Sequence, residues 1–142
     1  SIALILAAEL IPEYTDKNGD KRKWEIVEDV VPSQFDTSKL KPCSCLKSSD
    51  KKGYIDGPEM RKRAVKFMGN LGLSDGKRML DEQNKIPTEF RDFYILLPGT
   101  VLCGSDSVLR VPCLVWRGGR WVLSFYWLDD DFGGRARFAC SE

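Results

Sequence analysis

The stretch 113–132, CLVWRGGRWVLSFYWLDDDF, decides the fold of this chain. Two runs of aliphatic and aromatic residues flank Gly118-Gly119, and a glycine pair between such runs is a signal for a two-residue β-hairpin. If the two glycines form the turn, Trp116 lies opposite Trp121. Residues that lie opposite each other in an antiparallel pair share one face of the sheet. The sequence therefore predicts the composition of both faces of this hairpin.

The two predicted faces differ in chemistry. The tryptophan face holds Arg110, Pro112, Leu114, Trp116, Trp121, Leu123, Phe125 and Trp127, and the aliphatic face holds Leu109, Val111, Cys113, Val115, Val122, Ser124, Tyr126 and Leu128. Neither face is expected to stay open to water, because a patch of that size marks an interface. We expect a helix to cover the aliphatic face. Most of the tryptophan face is expected to form a second core layer, partly under Trp24 and Ile26.

The rest of the chain is divided by turn and cap residues. The Asn18-Gly19 turn predicts an N-terminal hairpin at 10–31, and the residues at 32–56 are expected to form an irregular connection. Two helices are predicted at 57–85, the first capped by Asp56 and the second beginning at Ser74. Antiparallel strands are predicted at 92–140, with a bulge or an outward edge at Pro112, which has no N–H to donate.

These elements predict a single α+β domain spanning residues 1–142. We expect an antiparallel sheet of about four to six strands, with one or two helices packed on one face. The first helix presents Met60, Ala64 and Phe67 at helical spacing, which suits the aliphatic face. No alternation of strands and helices indicates a parallel βαβ architecture.

Composition excludes several functional classes. The chain has 22 basic and 21 acidic residues, a net charge of +1, whereas duplex-DNA-binding proteins usually have a basic excess. It contains no histidine, so it cannot form a Ser-His-Asp system, a Cys-His system or a histidine-ligated metal site. We therefore predict no catalytic residue, metal or cofactor.

The location of the protein is inferred from its cysteines and from its first residues. The five cysteines are Cys43, Cys45, Cys103, Cys113 and Cys140, an odd number that favours free thiols and a cytoplasmic protein. An exported mature chain whose signal has been removed is the alternative. The apolar run at 2–8 is too short to cross a membrane, and we expect it to be a buried first element.

The tryptophan face also carries the functional hypothesis. We expect its turn end to remain exposed and the protein to be a small non-catalytic accessory protein that binds a protein partner or itself. Trp and Arg are favoured anchors in such interfaces. The predicted binding residues are Arg110, Trp116, Arg117, Arg120, Trp121 and Trp127.

Two alternatives come from other functional classes. Single-stranded nucleic acid could stack on the tryptophans while Arg110, Arg117 and Arg120 meet its phosphates. The run Asp129, Asp130 and Asp131 could form part of a carboxylate-metal enzyme, although neighbouring strand residues point apart.

Overall fold

The computed structural model describes residues 7–141, and this part of the chain contains two α-helices and eleven β-strands. The helices are α1 (Gly57–Lys66) and α2 (Leu73–Asp81). The strands are β1 (Glu13–Thr15), β2 (Lys21–Lys23), β3 (Glu25–Glu28), β4 (Lys41–Ser44), β5 (Tyr54–Ile55), β6 (Tyr94–Leu96), β7 (Val101–Cys103), β8 (Leu109–Arg117), β9 (Arg120–Trp127), β10 (Phe132–Gly133) and β11 (Ala136–Cys140). Short 3₁₀ turns lie at Ala8–Leu10, Thr37–Lys39, Gln83–Lys85 and Thr88–Asp92. The α+β prediction is confirmed. The expected first element at 2–8 lies mostly outside the described residues.

The main sheet is larger than expected and is curled. It has seven strands in the order β3-β7-β8-β6-β11-β4, with β9 paired to β8 outside that path. All its pairs are antiparallel except β6–β11, which is parallel. The sheet is therefore mixed, because β11 lies between β6 and β4 and is parallel to β6 but antiparallel to β4. Two smaller sheets, β1–β2 and β5–β10, stand beside it.

The long β8–β9 hairpin has the predicted register. Arg117 pairs with Arg120, Trp116 with Trp121, and the pairing continues to Arg110 and Trp127. Gly118 and Gly119 have φ angles of 64° and 78°, the positive values that a type I′ turn requires at both positions. The two faces of the hairpin therefore have the composition that was read from the sequence.

Pro112 is accommodated by the neighbouring strand. β6 and β7 both pair with the side of β8 that faces away from β9, and residues 97–100 separate them opposite Pro112. The Pro112 carbonyl still accepts a hydrogen bond from the Leu97 N–H at 2.9 Å. The missing N–H thus falls where the pairing changes from β7 to β6. The expected interruption lies in the facing chain and not in β8.

The two helices pack on opposite faces of the sheet. In α1, Met60 and Ala64 join the core formed with Val111 and Cys113 of the aliphatic face, as predicted. In α2, Met79 packs with Leu114 and Trp121 of the tryptophan face. The expectation that the helices share one face is corrected, because each face of the hairpin is apolar and needs its own cover.

The N-terminal segment covers the part of the tryptophan face around Leu123 and Phe125. Ala7 and Ile11 form a core cluster with Leu73 and Leu102, against which Trp24, Leu123 and Phe125 pack. The predicted hairpin is shorter than 10–31: β1 and β2 close around Gly19, whereas β3 leaves them and pairs with β7. The contribution of Trp24 is confirmed, since its ring lies 5.1 Å from that of Phe125.

Two other boundaries differ from the expectation. The connection at 32–56 contains β4 and β5, which the polar composition of the segment conceals. Asp56 caps α1 as predicted, accepting the Glu59 N–H at 2.8 Å, but α2 begins one residue after Gly72 and includes Ser74. There the Asp75 carboxylate accepts the Gly72 N–H at 2.9 Å and so caps the helix from its third position.

Candidate functional site

The turn end of the tryptophan face is covered. The Trp121 side chain is only 1% exposed and belongs to the core beneath α2. Its backbone is also occupied: the Gln83 carboxamide accepts the Trp121 N–H at 2.9 Å and donates to the Trp121 carbonyl at 3.3 Å. Trp121 therefore offers no surface to a partner, and its predicted role in binding is corrected to a role in the core.

Trp116 is half-buried between its neighbours. Its ring meets Trp121 edge-on at 5.7 Å between ring centroids, and the Arg91 guanidinium lies 4.0 Å from the Trp116 ring centroid. Arg117 and Arg120 are exposed beyond it and make no ion pair within the part of the chain that the structure describes. At this end of the hairpin the accessible groups are thus cationic, not aromatic.

The exposed tryptophan lies at the opposite end of the hairpin. Trp127 is 53% exposed, and Arg110 lies directly across from it. The Arg110 guanidinium makes two hydrogen bonds to the Asp106 carboxylate, at 2.9 and 2.6 Å, and lies 4.6 Å from the Trp24 ring centroid. This pairing holds the pKa of the Asp106 carboxyl well below its usual range. Arg110 is consequently engaged within the chain, whereas Trp127 is accessible.

The outer edge of β9 carries backbone groups that are unpaired within residues 7–141. Residues alternate in the direction of their N–H and C=O groups along a strand, and those of Trp121 face away from β8 toward Gln83. The same alternation directs the backbone groups of Leu123 and Phe125 outward. No hydrogen bond joins those outward groups to any residue between 7 and 141. Beside Trp127, the described part of the sheet thus has a short open edge.

An apolar groove lies on the other face at the same end of the hairpin. Its cavity of about 380 Å³ is lined by Pro58, Ser107, Val108, Leu109, Leu128 and Asp129. Leu109 and Leu128 belong to the aliphatic face; the first turn of α1 lies against Leu128, whereas Leu109 remains exposed. Accessible apolar surface therefore flanks this end of the sheet on both faces.

The three consecutive aspartates form a solvated turn. Asp130 accepts the Asp131 N–H at 2.8 Å, and the Tyr126 hydroxyl donates to the Asp131 carbonyl at 3.1 Å. All three residues are exposed. Across residues 7–141, no group of three or more Cys, Asp or Glu side chains is placed to hold a metal ion. These carboxylates contribute negative charge beside Trp127.

A second cavity, of about 420 Å³, opens near the end of α1. It is lined by Ser33, Gln34, Phe35, Leu40, Met68, Asn70, Leu71, Ala139 and Ser141. The lining contains no charged side chain, and the Asn70 side-chain oxygen is buried there without a hydrogen-bond partner among the described residues. Such a lining accommodates an apolar group with one donor and supplies no proton-transferring group.

The sequence did not reveal which tryptophan is exposed. Trp121 and Trp127 lie on the same face of the same strand, and they are distinguished by the cover from α2 and the contact from Gln83, both distant in sequence. The free edge of β9 likewise depends on which strands pair, which no local motif encodes.

Within residues 7–141, no helix has the length and apolar character needed to cross a membrane. We find no protein-family model that matches the chain, and no curated protein or solved structure matches it either.

Proposed function

We propose that this protein is a non-catalytic accessory protein that binds an extended segment of a protein partner along the outer edge of β9. The observation that carries the proposal is the pair of backbone positions Leu123 and Phe125, which no residue between 7 and 141 pairs, next to the exposed Trp127. Addition of a strand to an open sheet edge supplies main-chain hydrogen bonds, and nearby pockets then select side chains. Trp127 provides the aromatic anchor that such interfaces favour.

The charges along this edge support a peptide segment of mixed charge. Arg120 is the first residue of β9, and Asp129, Asp130 and Asp131 come shortly after the end of that strand. A partner strand with an acidic group near Arg120 and a basic group near the aspartates is complementary to both ends. A nucleic acid, whose phosphates are all negative, meets repulsion at the aspartates, and Arg110 is already bound to Asp106. These charges favour a protein partner over single-stranded nucleic acid.

We include a cytoplasmic location in the proposal. All five cysteines are free thiols, which is the ordinary state in a reducing compartment.

The proposal is tested with peptides selected from a random library for binding to the wild-type protein. Replacing Trp127 by alanine is expected to lower the affinity for the selected peptides by about tenfold or more, as for an interface anchor. Met68→Ala removes another exposed apolar side chain, on a distant surface, and should leave the affinity unchanged. Binding should also slow hydrogen exchange at the Leu123 and Phe125 amides, which pairing with a strand protects.

Three results would contradict this function. A peptide does not bind this edge if its affinity is unchanged by Trp127→Ala. The same holds for a peptide that leaves hydrogen exchange at the Leu123 and Phe125 amides unchanged. Tight binding of single-stranded oligonucleotides that weakens steeply with salt and is lost in Arg117→Ala favours the nucleic-acid alternative. Self-association that protects the same two amides would identify the partner as a second copy.

A further inference from the structure

Two cysteines meet on neighbouring strands, outside the β9 edge. Cys43 of β4 pairs with Phe138 of β11, and Cys140 of β11 pairs with Lys41 of β4. Residues 138 and 140 share a face, because strand side chains alternate. Cys43 and Cys140 are therefore diagonal neighbours on one face of the sheet, and both side chains belong to or pack against the same core cluster.

The two thiols differ in accessibility. Cys140 is 6% exposed, and its thiol also donates to the Phe67 carbonyl at 3.5 Å. Burial raises the pKa of the Cys140 thiol to about 12, and the contact with Cys43 acts in the same direction. Cys43 is half-buried on the edge strand β4. An oxidant from solvent is consequently expected to react with Cys43 first, and Cys140 lies next to Cys43 on the buried side.

We propose that Cys43 and Cys140 form a peroxide-reactive dithiol that closes to a disulfide between β4 and β11. In the first step the Cys43 thiol attacks hydrogen peroxide, the O–O bond breaks, and a sulfenic acid and one water form. In the second step the Cys140 sulfur attacks the sulfenic sulfur, and the hydroxyl leaves with the Cys140 proton as a second water. Two thiols lose two electrons in total, and one peroxide is reduced to two waters.

The strand geometry indicates that this disulfide is easily reduced. Diagonal neighbours on paired strands lie about 7–8 Å apart, whereas the Cα atoms of a relaxed disulfide are about 4.4–6.8 Å apart. Closure therefore requires β4 to shift along β11, which an edge strand paired on one side can do. Strained disulfides have higher reduction potentials and are the reversible ones.

Two of the remaining cysteines are less accessible to peroxide than Cys43. Cys45 and Cys113 are buried, and burial raises the pKa of both thiols. The Cys45 sulfur lies against the Phe132 and Gly133 carbonyls at 3.9 and 3.7 Å, away from solvent. Cys103 of β7 is half-buried, so it matches Cys43 in exposure and serves as the control.

The test is treatment of the folded, reduced protein with hydrogen peroxide, followed by thiol counting and non-reducing peptide mapping. We expect loss of two of the five thiols, a linkage between the peptides of Cys43 and Cys140, and full recovery with dithiothreitol. Cys140→Ser should abolish the linkage and leave a sulfenic acid on Cys43 that dimedone traps. Cys103→Ser should retain the linkage.

Other products would overturn the proposal. These are a Cys43–Cys45 linkage, dimers joined through Cys103, or a sulfinic acid on Cys43 in the wild-type protein. If the wild-type protein retains all five thiols under conditions that oxidise Cys43 in the Cys140→Ser variant, the pair does not close. Circular dichroism of each reduced variant checks that these outcomes are read on folded protein.

Discussion

At the scale of single residues, identical side chains on one strand have different roles. Trp121 and Trp127 share the tryptophan face, but Trp121 lies under α2 and Trp127 faces solvent. Trp121→Ala should lower the free energy of unfolding by about 3–5 kcal/mol, as expected for a buried aromatic residue. Trp127→Ala should lower it by less than about 1 kcal/mol. Urea denaturation of both variants measures the difference, and equal losses would mean that Trp127 is also part of the core.

Asp50 makes stability depend on pH. Arg63 is buried and bonds to the Asp50 carboxylate at 2.6 and 3.0 Å, to Glu59 at 2.8 Å and to the Cys45 carbonyl at 2.9 Å. The hydrogen bonds from Arg63 lower the pKa of Asp50 from 3.8 to about 2. Folding therefore favours the ionised carboxylate. The resulting stabilisation is complete above about pH 4 and is lost as the pH falls toward about 2.

Comparison of the wild-type protein with Asp50→Asn tests this dependence. The difference between their free energies of unfolding should be largest near neutral pH and should shrink on acidification. A difference that stays constant down to pH 2 would show that the pair with Arg63 does not perturb Asp50. Arg63→Met should remove the same acid-dependent contribution, because it removes the partner.

At the scale of elements, Gln83 ends the open edge of β9. Its carboxamide bonds to both backbone groups of Trp121, as a residue of a neighbouring strand would. Gln83→Met removes both bonds and leaves two backbone groups unpaired, which should cost about 1–3 kcal/mol. Gln83→Glu keeps the acceptor for the Trp121 N–H and should cost less. Faster hydrogen exchange at the Trp121 amide checks the mechanism, and an unchanged rate would argue against it.

The elements also show how far the sequence predicts the fold. The Gly118-Gly119 turn and alternation predict the register of β8–β9 correctly, because both signals are local. Met60 and Met79 are both buried helix residues, so apolar spacing alone does not assign α1 and α2 to opposite faces. The parallel β6–β11 pair joins segments about forty residues apart, and the pattern around Phe138 suits either strand direction. At the candidate site, Arg110 and Trp127 are located correctly in the hairpin, but the pattern does not predict that Asp106 engages Arg110 while Trp127 stays exposed.

At the scale of the whole molecule, β11 connects the edge strand β4 to the rest of the main sheet. It pairs with β4 on one side and with β6 on the other, and Ala136 and Phe138 are fully buried. Deletion of residues 136–142 should abolish cooperative unfolding, because β4 loses its neighbour in the main sheet. Replacement of the turn residues 16–20 by a shorter turn should preserve it. Near-ultraviolet circular dichroism during urea titration distinguishes the two outcomes, and a cooperative transition in the deletion variant would refute a central role for β11.

The position of β11 also determines how the chain can fold during synthesis. β4 leaves the ribosome long before β11, the strand that pairs with it. One side of β6 also remains unpaired until β11 has been made. At about 5–20 residues per second, roughly 5–20 seconds separate the translation of Ser44 from that of Cys140. β4 is without its partner throughout that interval, and the edge of β6 is added once residues 94–96 have been made. Translation rate and chaperone access during those seconds are thus expected to govern the yield of native protein more strongly than the stability of the finished fold.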